Sequence, residues 1–221
     1  MHPYHHALSS ARRYGGAAED YLPLHNWFDA TKVNMSFFTH RALRHHYEGV
    51  REAVHVFGGH VTNTEGTSVA VETISLQHFM EDMNIIPSAA DWLQYIDRSK
   101  MPEFTTIPTA EELADRSARR FATTPSVVLP VHQWFFETAT WFTDQRHLTM
   151  RHHSFGIFET EQRFGVVLTD GSSPPVPTRV LGEWHVRAVL GRIPTAAEFI
   201  RLVKGQPWMA AAQNPRRLGL I

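Results

Sequence analysis

The sequence predicts a mainly helical α+β protein of two homologous helical lobes, each with a small β-hairpin, arranged with pseudo-two-fold symmetry. Three observations lead there. Residues 7–96 laid over 114–203 at a constant offset of 107 need no gap, and about 26 of 90 positions coincide. Helix starts are written as capping boxes, Ser88 with Asp91 and Thr195 with Glu198, each following a proline. Between the helical stretches, HVTNTEGTSVAVET alternates around a glycine-containing turn, which signals a hairpin.

Taken in order, each unit begins with a short helix over 6–14 and a second over 22–33, where Pro23 suits a first turn. A longer helix is expected over 35–57, stopping at Gly58-Gly59. After the hairpin come a helix over 74–83 and the capped helix that starts at Ser88. The second hairpin, VVLTDGSSPPVPTRV, turns at TDG, and its three prolines make its second strand an edge strand. The lobes are expected at 1–105 and 106–221, with repeat cores 7–96 and 114–203. The linker is expected over 97–113, and 210–221 as a loose tail. A period near 107 is the size of a small domain, and fusing two copies of a homodimer preserves a two-fold axis in one chain. Gly49 and Gly156 would interrupt strong helices at a cost of about 1 kcal/mol each. They suggest a close helix approach, lobe against lobe, or else a kink or simple inheritance from the ancestral unit.

The composition narrows the function classes. A formal net charge of −1 and a pI near 7.0 give no basic face for a polyanion, so nucleic acid is not an expected partner. No apolar run reaches the ~18 residues of a membrane span, and the N-terminus lacks a signal-peptide core, so a cytoplasmic monomer or a dimer through pseudo-symmetric lobes is expected. Zero cysteines exclude disulfides and thiolate chemistry.

Histidine is the unusual count: 15 in 221 residues. Ten of them form five matched pairs, 25/132, 40/147, 45/152, 46/153 and 78/185. His25, Asp29 and Lys32 fall on one face of the second helix, and His78 and Asp82 on one face of a later helix. On the long helix His40 and Arg44 share a face, while one of His45 and His46 faces inward and the other outward. His25, His45 and His78 are therefore the candidate ligands of a divalent metal, zinc or similar. Asp29 and Asp82 are the candidate carboxylate ligand or general base, and Arg44 and Lys32 the candidate substrate-anion contacts. Arg44 is equally readable as an ion pair bracing helices. The spacing is not that of HExxH enzymes, and core histidines that hydrogen-bond or cap helices would give the same pattern.

The stretches MHPYHHALSSARRYGG, EDYLPLHNWFD, HRALRHHYEG and GRIPTAAEFI together resemble an uncharacterised family of small bacterial and phage proteins of about one hundred residues. The resemblance covers nearly the whole chain, one family unit per lobe. It implies a fold unit and a bacterial or phage origin, and it implies no activity. Two readings of function follow. One is a metal-binding protein, extending to a metal-dependent hydrolase of small phosphorylated or amide substrates, worked by the first lobe. The other is a non-enzymatic interaction or structural module, a fused pseudo-dimer whose histidines are core hydrogen-bonders. The first lobe is favoured as the working one because Asp29, Lys32 and Asp82 become Phe136, Ala139 and Val189 in the second.

Overall fold

The structure, a computed structural model, describes residues 1–101 and 106–220. It is mainly helical with two small antiparallel hairpins, as the sequence predicts. Its contacts divide the chain into two units, Met1–Tyr95 joined by the chain from Val203 onward, and Ile96–Leu202. Among the described residues no helix is long and apolar enough to cross a membrane.

The first unit opens with α1 (Pro3–Tyr14), which starts three residues before its expected position and carries His6 on its buried side. His2 caps it, its Nδ1 accepting from the Tyr4 amide. Helix α2 (Ala18–Asp29) also begins early, with Glu19 and Asp20 in the first turn and the Asp20 carboxylate accepting from the Ala17 amide. Pro23 thus lies inside the helix, not in its first turn. A 3-10 turn (Ala30–Val33) leads to the largest departure from expectation. No single helix spans 35–57. A 3-10 helix (Phe38–Leu43) ends in a sharp turn through Arg44 and His45, and α3 (Tyr47–Phe57) starts afresh from His46.

Gly49 explains the break. A Cβ placed there would lie 2.1 Å from the Arg44 carbonyl oxygen, and at Gly156 it would lie 1.9 Å from that of Arg151. The glycines admit the chain reversal at the head of the helix; they do not mark one helix pressed on another. His46 completes the turn as a cap, its Nδ1 accepting from the Gly49 amide at 3.1 Å, and His153 caps Gly156 in the same way at 2.9 Å. Both His45 and His46 are buried, so neither is the outward partner of the other. Gly49→Ala is expected to lower stability by about 1–3 kcal/mol, as for an overpacked site, although alanine is the better helix former. Denaturant unfolding would measure it, and an unchanged or raised midpoint would refute the account of the turn.

The hairpin β1 (His60–Thr62) and β2 (Ser68–Ala70) pairs His60 with Ala70 and Val61 with Val69. Helices α4 (Val71–Met83) and α5 (Ala89–Leu93) follow, α5 capped by Ser88 and Asp91 as the sequence predicts. Tyr21, Leu24, Phe28, Ile74, Phe79, Met83 and Trp92 form the unit's buried core. Residues 210–220 do not hang loose. With the 3-10 turn Pro207–Ala210 they lie on the first unit, where the Gln213 amide donates to the Glu81 carbonyl and Arg12 to the Leu218 and Gly219 carbonyls.

The second unit repeats the order. A 3-10 turn (Arg98–Lys100) precedes α6 (Ala110–Phe121), so the expected linker is helical from Ala110, and its residues 102–105 lie outside the described ones. Then come α7 (Pro125–Glu137), 3-10 turns Thr138–Thr140 and Gln145–Met150, and α8 (Ser154–Phe164). The hairpin β3 (Val167–Leu168) and β4 (Val176–Pro177) leads to α9 (Thr178–Leu190) and α10 (Ala196–Ile200). Pro177 sits in the second strand of a two-stranded sheet, an edge where its missing amide is tolerated.

Candidate metal centre

Helices α2 and α4 and the turn before α3 converge in the first unit. Asp29 is the last residue of α2, His78 and Asp82 are one turn apart on α4, and the turn that Gly49 permits swings His45 inward. One ligand atom from each of Asp29, His45, His78 and Asp82 lies within 4.8 Å of the others. All four residues are 0–4% exposed.

The tightest part is a triangle. His45 Nε2 and His78 Nε2 are 3.0 Å apart, and Asp82 Oδ2 lies 3.4 Å from the first and 3.5 Å from the second. Asp29 Oδ1 reaches His45 Nε2 at 3.8 Å. Metal–ligand bonds of about 2.0–2.1 Å place tetrahedral ligands about 3.3 Å from one another, so these spacings are edges of a coordination polyhedron. Asp82 Oδ2 and Asp29 Oδ1 are buried without a hydrogen-bond donor, while Asp29 Oδ2 is held by the Lys32 ammonium.

Their protonation suits ligation. Burial pushes His78 down to about 4 and His45 well below its ordinary value, so both rings are neutral at neutral pH. Burial alone would raise Asp82, but its polar surroundings, His45, His6 and His78, overcome it and hold the carboxyl well below its usual range. A carboxylate facing two unprotonated imidazole nitrogens is the state a metal requires.

Around this group lies a layer that orients it. If Nε2 of His78 is to face an ion, its Nδ1 must carry the proton and donate to His25 Nδ1 at 2.9 Å. His25 Nε2–H then donates to Ser10 Oγ at 2.9 Å, and Ser10 donates to Gln77 Oε1 at 3.3 Å. His25 is therefore not brought to the common point; it stands behind His78. Asp82 Oδ1 faces the other way, receiving Arg41 at 2.9 Å, the Met1 amine and His6 Nε2 at 3.3 Å. His6 is stacked 4.0 Å from His78 and bound through Nδ1 to Glu81 at 2.6 Å. Burial disfavours its charge, yet Asp82 and Glu81 together raise it above the ordinary histidine value.

Lys32 pairs with Asp29 at 2.6 Å. Arg44 is buried, stacked 3.9 Å over Trp27 and donating to the Trp27 carbonyl. Arg151 does the same on Trp134 in the second unit, where Phe136 and Val189 replace Asp29 and Asp82 and Arg151 also pairs with Glu137 at 2.9 Å, so this arginine belongs to the fold. His40 bonds Thr31 and His147 bonds Thr138, again once per unit. Sequence reasoning missed His6, Arg41 and Glu81, because a search for repeated residues passes over those present in one copy only.

The second unit keeps the imidazole chain without the charges. Ser117, His132, His185 and His152 are joined at 2.9, 2.8 and 3.1 Å. Where the first unit has His6, Asp29, Arg41, Gln77, Glu81 and Asp82, the second has Leu113, Phe136, Leu148, Trp184, Ala188 and Val189. Leu113, Leu148 and Val189 are a buried apolar cluster, with Phe136, Trp184 and Ala188 packed against it. The same backbone thus supports either a charged pocket or an oily one.

No curated protein and no solved structure matches the chain. One family matches it twice, over residues 1–101 and again over 109–209: a domain of unknown function, DUF6915. The chain belongs to that family, as a tandem pair of its units.

Proposed function

We propose that the first unit is a binding centre for a divalent transition metal of the zinc class, with His45, His78 and Asp82 as ligands and Asp29 as the fourth donor. The observation that carries this is the triangle of two imidazole nitrogens and one donorless carboxylate oxygen, at spacings that bonds to a shared ion would produce. Mixed nitrogen and oxygen donors suit zinc and its neighbours better than calcium or magnesium. The bound ion would supply positive charge to a pocket that concentrates Asp29, Glu81 and Asp82.

The oily counterpart in the second unit supports the same reading. Buried ion networks are often no more stabilising than well-packed apolar residues of similar volume, and this fold accommodates the apolar version. The charges are therefore not needed to build the unit. Hydrolysis at the centre would make Asp29 a base and Lys32 a contact for a substrate anion, but it requires an open coordination position. Donors that are 0–4% exposed favour a resident ion over a turnover site.

The rival reading is a metal-free polar core in a structural module. What favours it is that Asp29 already has Lys32 and Asp82 already has Arg41. Elemental analysis of untagged protein separates the two. About one equivalent of zinc-class metal per chain is expected, lost in His78→Ala, and Zn2+ at 100 times its Kd should add about 2.7 kcal/mol of stability. Metal-free protein whose melting temperature ignores added Zn2+ would establish the rival.

A further inference from the structure

The tail that packs on the first unit follows the second repeat in sequence. We propose that this strap, residues 207–220, positions the metal ligand Asp82 through Arg41, so that the centre is complete only when the strap is seated. The proposal rests on the metal-centre reading above and adds a positioning residue and a control element to it.

The last carbonyls of a helix have no partners inside it. At the end of α4 the Asn84 amide caps the Met80 carbonyl, and the strap or Arg41 reaches the carbonyls of Met80, Glu81 and Asp82. Gln213 Nε2 donates to the Met80 carbonyl at 3.2 Å, and the Gln213 amide donates to the Glu81 carbonyl at 2.7 Å. Arg41 Nη1 donates to the Asp82 carbonyl at 3.0 Å and to the strap's Met209 carbonyl at 2.8 Å. Its Nη2 holds Asp82 Oδ1 at 2.9 Å.

The guanidinium is planar, so fixing Nη1 on two carbonyls fixes where Nη2 points. With Oδ1 anchored there, Oδ2 is the oxygen left turned toward His45 and His78. Met209 is fully buried, and Trp208 packs edge-on against Trp92 at 4.7 Å. These contacts seat the carbonyl that Arg41 reads. The second unit lacks both halves of the device: Leu148 stands in place of Arg41 and Val189 in place of Asp82.

The full chain tests this with Trp208→Ala, which loosens the strap, and Arg41→Lys, which keeps the charge and loses the fork. Zn2+ affinity is read by chelator competition, Co2+ absorption reports ligand geometry, and nitrogen-15 NMR reports protection of the Arg41 guanidinium protons. Each variant should weaken Zn2+ binding about 10- to 100-fold, the usual effect of removing a group that orients a ligand. The Co2+ spectrum should change in both, and Arg41 protection should vanish in Trp208→Ala, with helical circular dichroism retained. Wild-type affinity together with protected Arg41 protons in Trp208→Ala would overturn the proposal. Wild-type protein that binds no Zn2+, with Arg41 protection still lost in Trp208→Ala, would instead overturn the metal-centre reading and leave the strap's grip on Arg41 standing.

Discussion

Asp82→Ala is expected to abolish metal binding and to destabilise the first unit by about 3–5 kcal/mol, the usual cost of removing one partner from a buried ion pair. Asp82 Oδ1 accepts Arg41, the Met1 amine and His6, and Oδ2 faces His45 and His78. Alanine leaves those cations buried and uncompensated. The effect should be far smaller when the surroundings change too. A variant carrying His6→Leu, Asp29→Phe, Lys32→Ala, Arg41→Leu, Gln77→Trp, Glu81→Ala and Asp82→Val copies the second unit's residues into the first. It should recover most of the lost stability and bind no metal. Urea unfolding of the wild type and both variants provides the comparison. If the seven-fold variant is no more stable than Asp82→Ala, the charged cluster is a structural requirement of this unit and not a site laid upon it.

The second large effect is acid lability of the second unit. Burial pushes His132 and His153 down to about 4, and His152 and His185 well below their ordinary value. Among the described residues no buried carboxylate stands beside the His132–His185–His152 chain, where the equivalents of Asp29 and Asp82 are Phe136 and Val189. The unfolded chain takes up protons near pH 6.5, which the folded unit refuses until about pH 4. In that window the unfolded state binds more protons, so stability falls as pH falls. His132 and His153 alone should account for about 3 kcal/mol between pH 6.5 and 5. Hydrogen exchange of α7 and α9 at pH 7, 6 and 5 would show it. Protection that is flat across this range would mean that the imidazoles are charged inside the fold.

The first unit should respond less simply, because its charges oppose one another. His6 has a raised value, so its contribution is fully present below about pH 6.5 and is lost as pH rises through its folded value. Asp82 has a depressed value, so its contribution is present above the ordinary carboxylate range and fades only in strong acid.

Much of this was legible in the linear sequence. The gapless offset of 107 determined that there are two units of one fold. The capping boxes at Ser88 and Thr195 fixed two helix starts, because their hydrogen bonds close within four residues. The polar residues that disappear from the second copy, Asp29 and Asp82, marked the unit where charge gathers, since an apolar replacement cannot ligate a metal or carry a proton. Tertiary structure alone decided the rest, because the deciding contacts are distant in sequence. His6 looked like one of several histidines near the start until α1 laid it against α4, 75 residues away from Glu81. His45 and His46 are neighbours whose tasks diverge at one turn: one ring is swung into the cluster and the other caps a helix. That turn exists because Gly49 lets the backbone pass against the Arg44 carbonyl, and helical periodicity, which assumes an unbroken helix, turns one of the two rings outward when both are buried. Arg41 finds the Met209 carbonyl 168 residues away. A backbone oxygen has no identity in the sequence, so only the folded chain could show which one Arg41 would use.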